Sequence, residues 1–288
     1  MEYLIHLGIL FTIYAGLAMS LNLVVGYTGL LSVTQAAFYG IGAYTTAILM
    51  VDHGVNFFVS ILVGMLISGL VALIIGWILS RFKDDYYALV SFGFNIIVFS
   101  IFLNWQSLTR GPLGIPGINK PALFGIDFSQ NLNFLILIVV VMAAMYGVCA
   151  FIVHSSFGRV LKAIREDEKA ISVFGYNTSV YKLVIFVISA SLAAVCGSFF
   201  ASYITFIDPS TFSLNESIFI LAIIILGGLA NLRGSLIGAL FLILLPEILR
   251  FVGFPTDVAA QMRQVVYGLI LVLLMLYRPQ GVVGEYKL

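Results

Sequence analysis

Apolar runs follow one another along almost the whole chain, most of them about as long as a bilayer is thick. They cover residues 4–25, 30–50, 57–79, 86–104, 132–153, 183–206, 218–229, 236–251 and 265–277. A hydrocarbon core roughly 30 Å thick is crossed by a helix of roughly 20 apolar residues. Inside that core the backbone must pair its own polar groups, which restricts spanning structures to helices and closed barrels. Continuous rather than alternating hydrophobicity selects helices. Only 9% of the 288 residues are charged and 61% are hydrophobic, against roughly 25% charged in a soluble domain. The expected fold class is therefore an all-α polytopic membrane protein, a single domain over residues 1–288 with about nine (eight to ten) transmembrane helices. Run 218–229 is short and run 30–50 is rich in small and polar residues, so either is a candidate for a broken or re-entrant segment. Residues 1–26 lack a basic leading region and read as a retained helix rather than a cleaved signal.

Lysine and arginine positions set the orientation, because cytoplasmic loops are enriched in both. With segment 155–182 inside and nine spans alternating from it, Arg81, Lys83, Arg159, Lys162, Arg165, Lys169, Lys182, Arg233, Arg278 and Lys287 fall inside. Arg110, Lys120, Arg250 and Arg263 fall outside. This places the N-terminus outside and the C-terminus in the cytoplasm. The outer loop 105–131 carries Gly111, Pro112, Gly114, Pro116, Gly117 and Pro121, a composition that predicts a structured turn. A net charge of +1 offers no basic field for nucleic acid.

Segment 155–182 is the most charged stretch, and residues 159–175 read as one short amphipathic helix. Val160, Ile164, Ala170, Ile171 and Phe174 recur at three- and four-residue steps, and Gly175 is a natural stop. Its mixed charges, Glu166, Asp167 and Glu168 among Arg159, Lys162, Arg165 and Lys169, favour docking into another protein over lying on lipid. In segment 26–49, Ser32, Ala36 and Gly40 form a small-residue stripe suited to close helix approach. Thr28, Ser32, Thr34 and Gln35 add polar groups that are costly against lipid and useful beside a polar path. Ordinary helix packing explains any one of them, whereas the segment as a whole suits a path lining. A second small-residue block, 227–239, shares an Ile-Gly-Ala run with the first (Ile41–Ala43 and Ile237–Ala239), a weak hint of the internal repeats found in transporters. Glu247 is the acidic residue that falls within a run, with Arg250 one turn on.

Cys149 and Cys196 sit within apolar runs as small packing residues, and His6, His53 and His154 are scattered without metal-ligand spacing, so no metal site is expected. None of the six lysines follows a glycine, which excludes the Gly-Lys-Ser/Thr phosphate loop. No Gly-x-Ser-x-Gly elbow or His-Glu-x-x-His pair occurs. A transport subunit is expected rather than an enzyme, with no cofactor of its own.

Several segments in order resemble the LivM-type permeases of branched-chain amino acid importers. They are Leu21-Asn-Leu-Val-Val-Gly-Tyr-Thr-Gly-Leu-Leu-Ser32, Ala36-Ala-Phe-Tyr-Gly-Ile-Gly-Ala-Tyr44, Gly111-Pro-Leu-Gly-Ile-Pro-Gly-Ile118, Phe157-Gly-Arg-Val-Leu-Lys-Ala-Ile-Arg-Glu-Asp-Glu168, Asp208-Pro-Ser-Thr-Phe-Ser213, Leu226-Gly-Gly-Leu229 and Arg278-Pro-Gln-Gly281. The resemblance implies a type II ABC importer permease-like bundle in a bacterial or archaeal plasma membrane. It implies a second, LivH-like permease, two cytoplasmic ATPases that use ATP and Mg, and an extracytoplasmic binding protein as partners. Arg159, Lys162, Arg165, Glu166, Asp167 and Gly175 would then couple to an ATPase. Thr28, Ser32, Thr34, Gln35, Tyr39 and Asn95 are the candidate path-lining residues. Gln35 stands where many relatives have histidine, and Asn95 where an acidic residue is common, which leaves a urea or short-amide permease as the nearest alternative. An ion-coupled secondary transporter would need a deep acidic or histidine site, for which Glu247 is the candidate. A structural membrane scaffold would explain neither the small-residue core nor the charged helix.

Overall fold

The computed structural model describes residues 2–251 apart from 83, 124, 125 and 129, together with 265, 268, 269, 272, 281 and 282. Among these, five helices are long and apolar enough to cross a bilayer: α1 (Glu2–Thr28), α3 (Phe57–Leu79), α4 (Asp84–Asn104, apolar over Tyr86–Asn104), α6 (Asn131–His154) and α9 (Thr178–Ile204). They match the expected spans 4–25, 57–79, 86–104, 132–153 and 183–206. The remaining helices are α2 (Gln35–Val51), α5 (Gln106–Thr109), α7 (Ser156–Glu166), α8 (Glu168–Val173), α10 (Leu214–Gly227) and α11 (Leu232–Phe251).

Run 30–50 is broken, one of the courses expected for it, and is not a full-length span. Residues 29–34 are extended, and α2 starts only at Gln35, leaving 17 residues of helix. Expected spans 218–229 and 236–251 become α10 and α11, bent by 118° at a four-residue break. Counted as one broken span they add a sixth crossing to the five, so nine spans are not reached among the described residues; expected span 265–277 lies largely outside them.

Charge sorts to the two ends of the bundle. At one end Arg165 donates to the Gly26 carbonyl, Lys162 lies over the Tyr27 ring, Arg81 lies over Trp77, and Lys182 pairs with Glu168. Arg159 and Arg233 join this basic end. At the opposite end Arg110 pairs with Asp52 at 2.8 Å and Lys120 donates to Asn131. Loop 105–131 is structured, as its Gly and Pro content predicts: α5 leads into a 3-10 turn at Gly111–Leu113, and strand β1 (Ile115–Pro116) follows. After β2 (Ala122–Leu123) and β3 (Ile126–Asp127), which pair with each other, β1 finds its partner in β4 (Phe206–Ile207), beyond α9.

α1 and α9 are both 27 residues long, roughly 40 Å at helical rise. They run in opposite senses through the centre, and each leads through an extended segment into a short helix, α2 or α10. α3, α4 and α6 turn apolar faces outward, exemplified by Leu66, Leu70, Ile97 and Val140. Without a hydrophobic drive between helices in lipid, association relies on close packing and small residues. The α2–α9 crossing is very close, as is α10–α11 at Gly227 and Gly238. A Cβ on Gly197 would stand 2.0 Å from the Tyr39 carbonyl, and one on Gly42 would stand 2.2 Å from the Ala194 carbonyl. These two glycines, rather than the expected Ser32/Ala36/Gly40 stripe, set the approach, because Ser32 lies outside the helix. Gly197→Ala should destabilise the protein by roughly 1–3 kcal/mol or more, read as a lower thermal-unfolding midpoint in detergent. Gly147→Ala, which meets nothing within 4 Å, is the control expected to leave the midpoint unchanged.

Candidate functional site

The chain entering α2 climbs back into the bundle instead of crossing it. Thr28 Oγ1 donates to the Val24 carbonyl and accepts from the Leu30 amide, turning α1 into the segment 29–34. Leu30, Ser32, Val33 and Thr34 are buried there. Gln35 Nε2 then donates to Ser20 Oγ at 2.6 Å. Ser20 lies eight residues before the end of α1, roughly 12 Å back from the basic end.

α10 reaches the same depth from the opposite end. Asp208 caps a 3-10 turn at Pro209–Phe212, and α10 begins directly after it. Glu216, in the first turn of α10, accepts a 2.6 Å hydrogen bond from Tyr14, near the middle of α1. The starts of the two half-helices meet. Ser217 Oγ accepts from the Ala36 amide at 2.9 Å and from Asn95 Nδ2 at 2.7 Å. Asn95 also donates to the Val33 carbonyl at 3.0 Å, the Val33 amide donates to Ser91 Oγ at 3.1 Å, and Ser32 and Thr34 share a 3.0 Å hydroxyl contact. Ser32 and Thr34 thus meet each other, Gln35 turns to α1, and Asn95 joins the Val33 backbone to Ser217. Thr28 belongs to the turn at the end of α1. Tyr39 lies one turn beyond Gln35.

Two properties bear on the chemistry of this junction. Thr34 and Ser213 give α2 and α10 no side-chain cap, as Trp105 and Gln130 give α5 and α6 none, and the Ala36 amide is instead paired with Ser217 Oγ. The helix macrodipole leaves such ends electropositive. In addition, Tyr39 Oη and Asn95 Oδ1 are buried and have no hydrogen-bond partner among the described residues. On the side toward the opposite end, a cluster of rings closes over the junction. Tyr39 and Phe212 are 5.1 Å apart, Tyr44 stacks on Phe102 at 4.4 Å, and Phe200 packs on Tyr39.

The second break is held from α1 as well. Asn22 Nδ2 donates to the Asn231 carbonyl at 3.0 Å and to Ser235 Oγ at 2.7 Å, and Asn22 Oδ1 accepts from the Ala230 amide at 3.0 Å. Val282 donates to the Leu226 carbonyl, and Gly281 lies against Gly228, so Gly281 adjoins the 226–229 motif. The two Ile-Gly-Ala runs fall on α2 and α11, while the structural counterparts are α2 and α10. The shared run therefore marks two close helix crossings, Gly42 on α9 and Gly238 on α10.

At the basic end the expected single helix 159–175 is two. Asp167 is extended (φ −154°, ψ 98°) and its carboxylate accepts from the Lys169 and Ala170 amides. Aspartate serves better as an N-cap than inside a helix. Leu161 and Ile164 turn inward while Ala170 is exposed, so the apolar residues do not form one stripe. Lys162 and Arg165 hold α7 against the end of α1. Arg159 is exposed and reaches the His154 carbonyl. Glu166, Asp167 and Gly175 are exposed at the tip, beside Val173 and Phe174, which are 86% and 78% exposed. Glu168 ties α8 to α9, accepting from Thr178 Oγ1 at 2.9 Å and pairing with Lys182 Nζ at 2.7 Å.

Sequence inspection missed Glu216, Ser217, Asn22 and the ring cluster. Glu216 sits just outside the expected run 218–229, and its depth follows only from the re-entrant course of 208–213. Like Glu247 on α11 it is half-buried, and the side chain of Arg250 lies outside the described residues. Among the described residues no three His, Cys, Asp or Glu side chains gather as a metal site.

A family model described as branched-chain amino acid transport system, permease component, matches residues 3–275. The chain belongs to this permease family. It is 32% identical to the high-affinity branched-chain amino acid transport system permease protein LivM of Salmonella typhimurium LT2, over 93% of this chain and 67% of that protein. The LivM protein of Escherichia coli K12 is also 32% identical, over 96% of this chain and 69% of its own. The permease protein LivH of the same strain is 29% identical over 94% and 91%. No solved structure matches the chain. The permease is thus a multi-pass membrane protein whose relatives are transport subunits.

Asn22→Ala would leave the buried Ala230 amide without its Asn22 Oδ1 acceptor, at roughly 1–3 kcal/mol for such a group, and would remove the bonds to the Asn231 carbonyl and Ser235 Oγ, which keep their bond to each other. The expected result is a clearly lowered thermal-unfolding midpoint in detergent. An unchanged midpoint would show that the α10–α11 break holds without α1.

Proposed function

We propose that this permease is the membrane subunit of an ATP-driven importer for branched-chain amino acids in a bacterial or archaeal plasma membrane. The basic end faces the cytoplasm, with the C-terminus on that side. A LivH-like permease stands beside it, two cytoplasmic ATPases supply ATP and Mg chemistry, and a binding protein delivers substrate to loop 105–131. The match to the branched-chain amino acid permease family and the LivM and LivH relatives support this assignment.

The observation that carries the mechanism is the tie between Arg165 and the Gly26 carbonyl. α7 and α8 present an exposed apolar tip, Val173 and Phe174, suited to a cleft in another protein. Arg165 joins that unit to the end of α1, immediately before the extended segment 29–34. Movement of α7 under ATPase closure is therefore delivered to the uncapped start of α2. The ring cluster of Tyr39, Tyr44, Phe102, Phe200 and Phe212 acts as the outer barrier, and separation of α2 from α10 at Ser217 opens the inner one. Alternating access results. Ser32, Thr34, Gln35, Tyr39 and Asn95 line the path at mid-depth, and Thr28 marks its hinge. Arg159, Lys162 and Arg165 seat the coupling unit, while Glu166, Asp167 and Gly175 face the ATPase.

The depth of Glu216 favours one second assignment, an ion-coupled carrier. Uptake that persists in vesicles with ATP and a collapsed ion gradient supports the importer, and loss of uptake supports the carrier. Mild-detergent purification from native membranes should bring down two ATPases and a second permease. Phe174→Glu should abolish ATPase co-purification while leaving the permease in the membrane, and the double variant Glu166→Ala, Asp167→Ala should reduce uptake with insertion intact. Wild-type uptake and ATPase recovery in these variants would refute the coupling assignment.

A further inference from the structure

Resting on the importer assignment, we propose that the junction of α2 and α10 reads the two charges of a zwitterionic amino acid, with Glu216 and Asn95 Oδ1 receiving the substrate ammonium. An ammonium group carries N–H donors only and needs acceptors; a carboxylate carries acceptors only and needs donors. The junction offers both kinds. Asn95 Oδ1 is an unpartnered acceptor in a fully buried side chain, and Glu216 supplies a carboxylate at the depth of Tyr14. Donors come from Tyr39 Oη, likewise buried and unpartnered, and from the Ala36 amide in the first turn of α2, which substrate would take over from Ser217 Oγ. The start of α2 carries positive potential that attracts a carboxylate. The rings of Phe102, Phe200 and Phe212 beside Tyr39 and Tyr44 provide an apolar wall for an aliphatic side chain.

The present arrangement is the closed form. Ser217 Oγ holds the Ala36 amide, and Tyr14 holds Glu216. Substrate exchanges these internal bonds for its own, so the site costs little to desolvate when empty and binds weakly enough to release. A neutral amide such as urea has no ammonium to offer Glu216, so this chemistry favours amino acids over short amides. Glu216 also sits in the first turn of α10, where a carboxylate complements the macrodipole. The test must separate that structural contribution from substrate contact.

The complete importer, with its partner subunits and binding protein, is reconstituted in proteoliposomes as wild type, Glu216→Gln and Tyr14→Phe. Leucine uptake and ATP hydrolysis stimulated by the binding protein are measured together. Glu216→Gln keeps shape and hydrogen-bonding capacity but removes the charge. It is expected to lower uptake roughly tenfold or more while hydrolysis stays near wild type. Tyr14→Phe removes the internal bond, leaves the carboxylate, and is expected to retain most uptake. Infrared difference spectra supply a second measure. Leucine should shift a carboxyl stretching band that is missing in Glu216→Gln, and 4-methylpentanoate, which lacks the ammonium, should not. Wild-type uptake in Glu216→Gln, a parallel fall of uptake and hydrolysis, or no leucine-dependent band would overturn the proposal alone. Wild-type vesicles that take up no leucine would overturn the importer assignment along with it.

Discussion

A peptide group inside a membrane has no water to fall back on, and the architecture of this permease follows from that constraint. Unbroken helices meet it automatically. The two places where the chain abandons the helix, 29–34 and 228–231, must have their amides and carbonyls paired by side chains. α1 lies beside both. Ser20 anchors Gln35 at the first, and Asn22 binds the second through three partners. This explains why α1 is buried over most of its length, and why polar residues lie in the middle of an otherwise apolar sequence. The cost of irregular backbone is met by a helix that never leaves the core.

The long helices were legible because length and hydropathy alone define them. Phe57–Leu79 coincides with the run read from the sequence, and Asn131–His154 and Thr178–Ile204 contain or overlap theirs. The basic end was legible for a similar reason, since seven of the described basic residues that the loop rule assigned inside converge there. The half-helices were legible only as candidates for a break, because hydrophobicity is blind to direction. Run 30–50 is apolar enough for a span, and only the buried pairing of Gln35 with Ser20 reveals that its first part climbs as extended chain. Run 159–175 misled differently. Its apolar spacing fits one helix, but Asp167 competes for the backbone and starts a new one.

The candidate site was half legible. Ser32, Thr34, Gln35 and Asn95 stand out as polar groups within apolar runs, and all four are buried at or beside the start of α2. Glu216 and Ser217 do not stand out, since in sequence they border a run and resemble loop residues. Their importance is created by the entry of 208–213 from the opposite end. Asn22 is hidden within the apolar stretch 21–25, and nothing in its neighbours announces a partner more than 200 residues away.

The shortness of α2 and α10 also bears on how the molecule is made. At 17 and 14 residues they measure roughly 26 and 21 Å, less than the roughly 30 Å of the hydrocarbon core, and each begins with polar side chains. Neither has the length to enter the bilayer as an independent span during synthesis. α2 is stable at depth only once α1 and α9 flank it, and α9 is translated some 130 residues later by the chain numbering. The emerging chain must therefore keep an incompletely buried half-helix waiting at the membrane until the centre of the bundle closes around it.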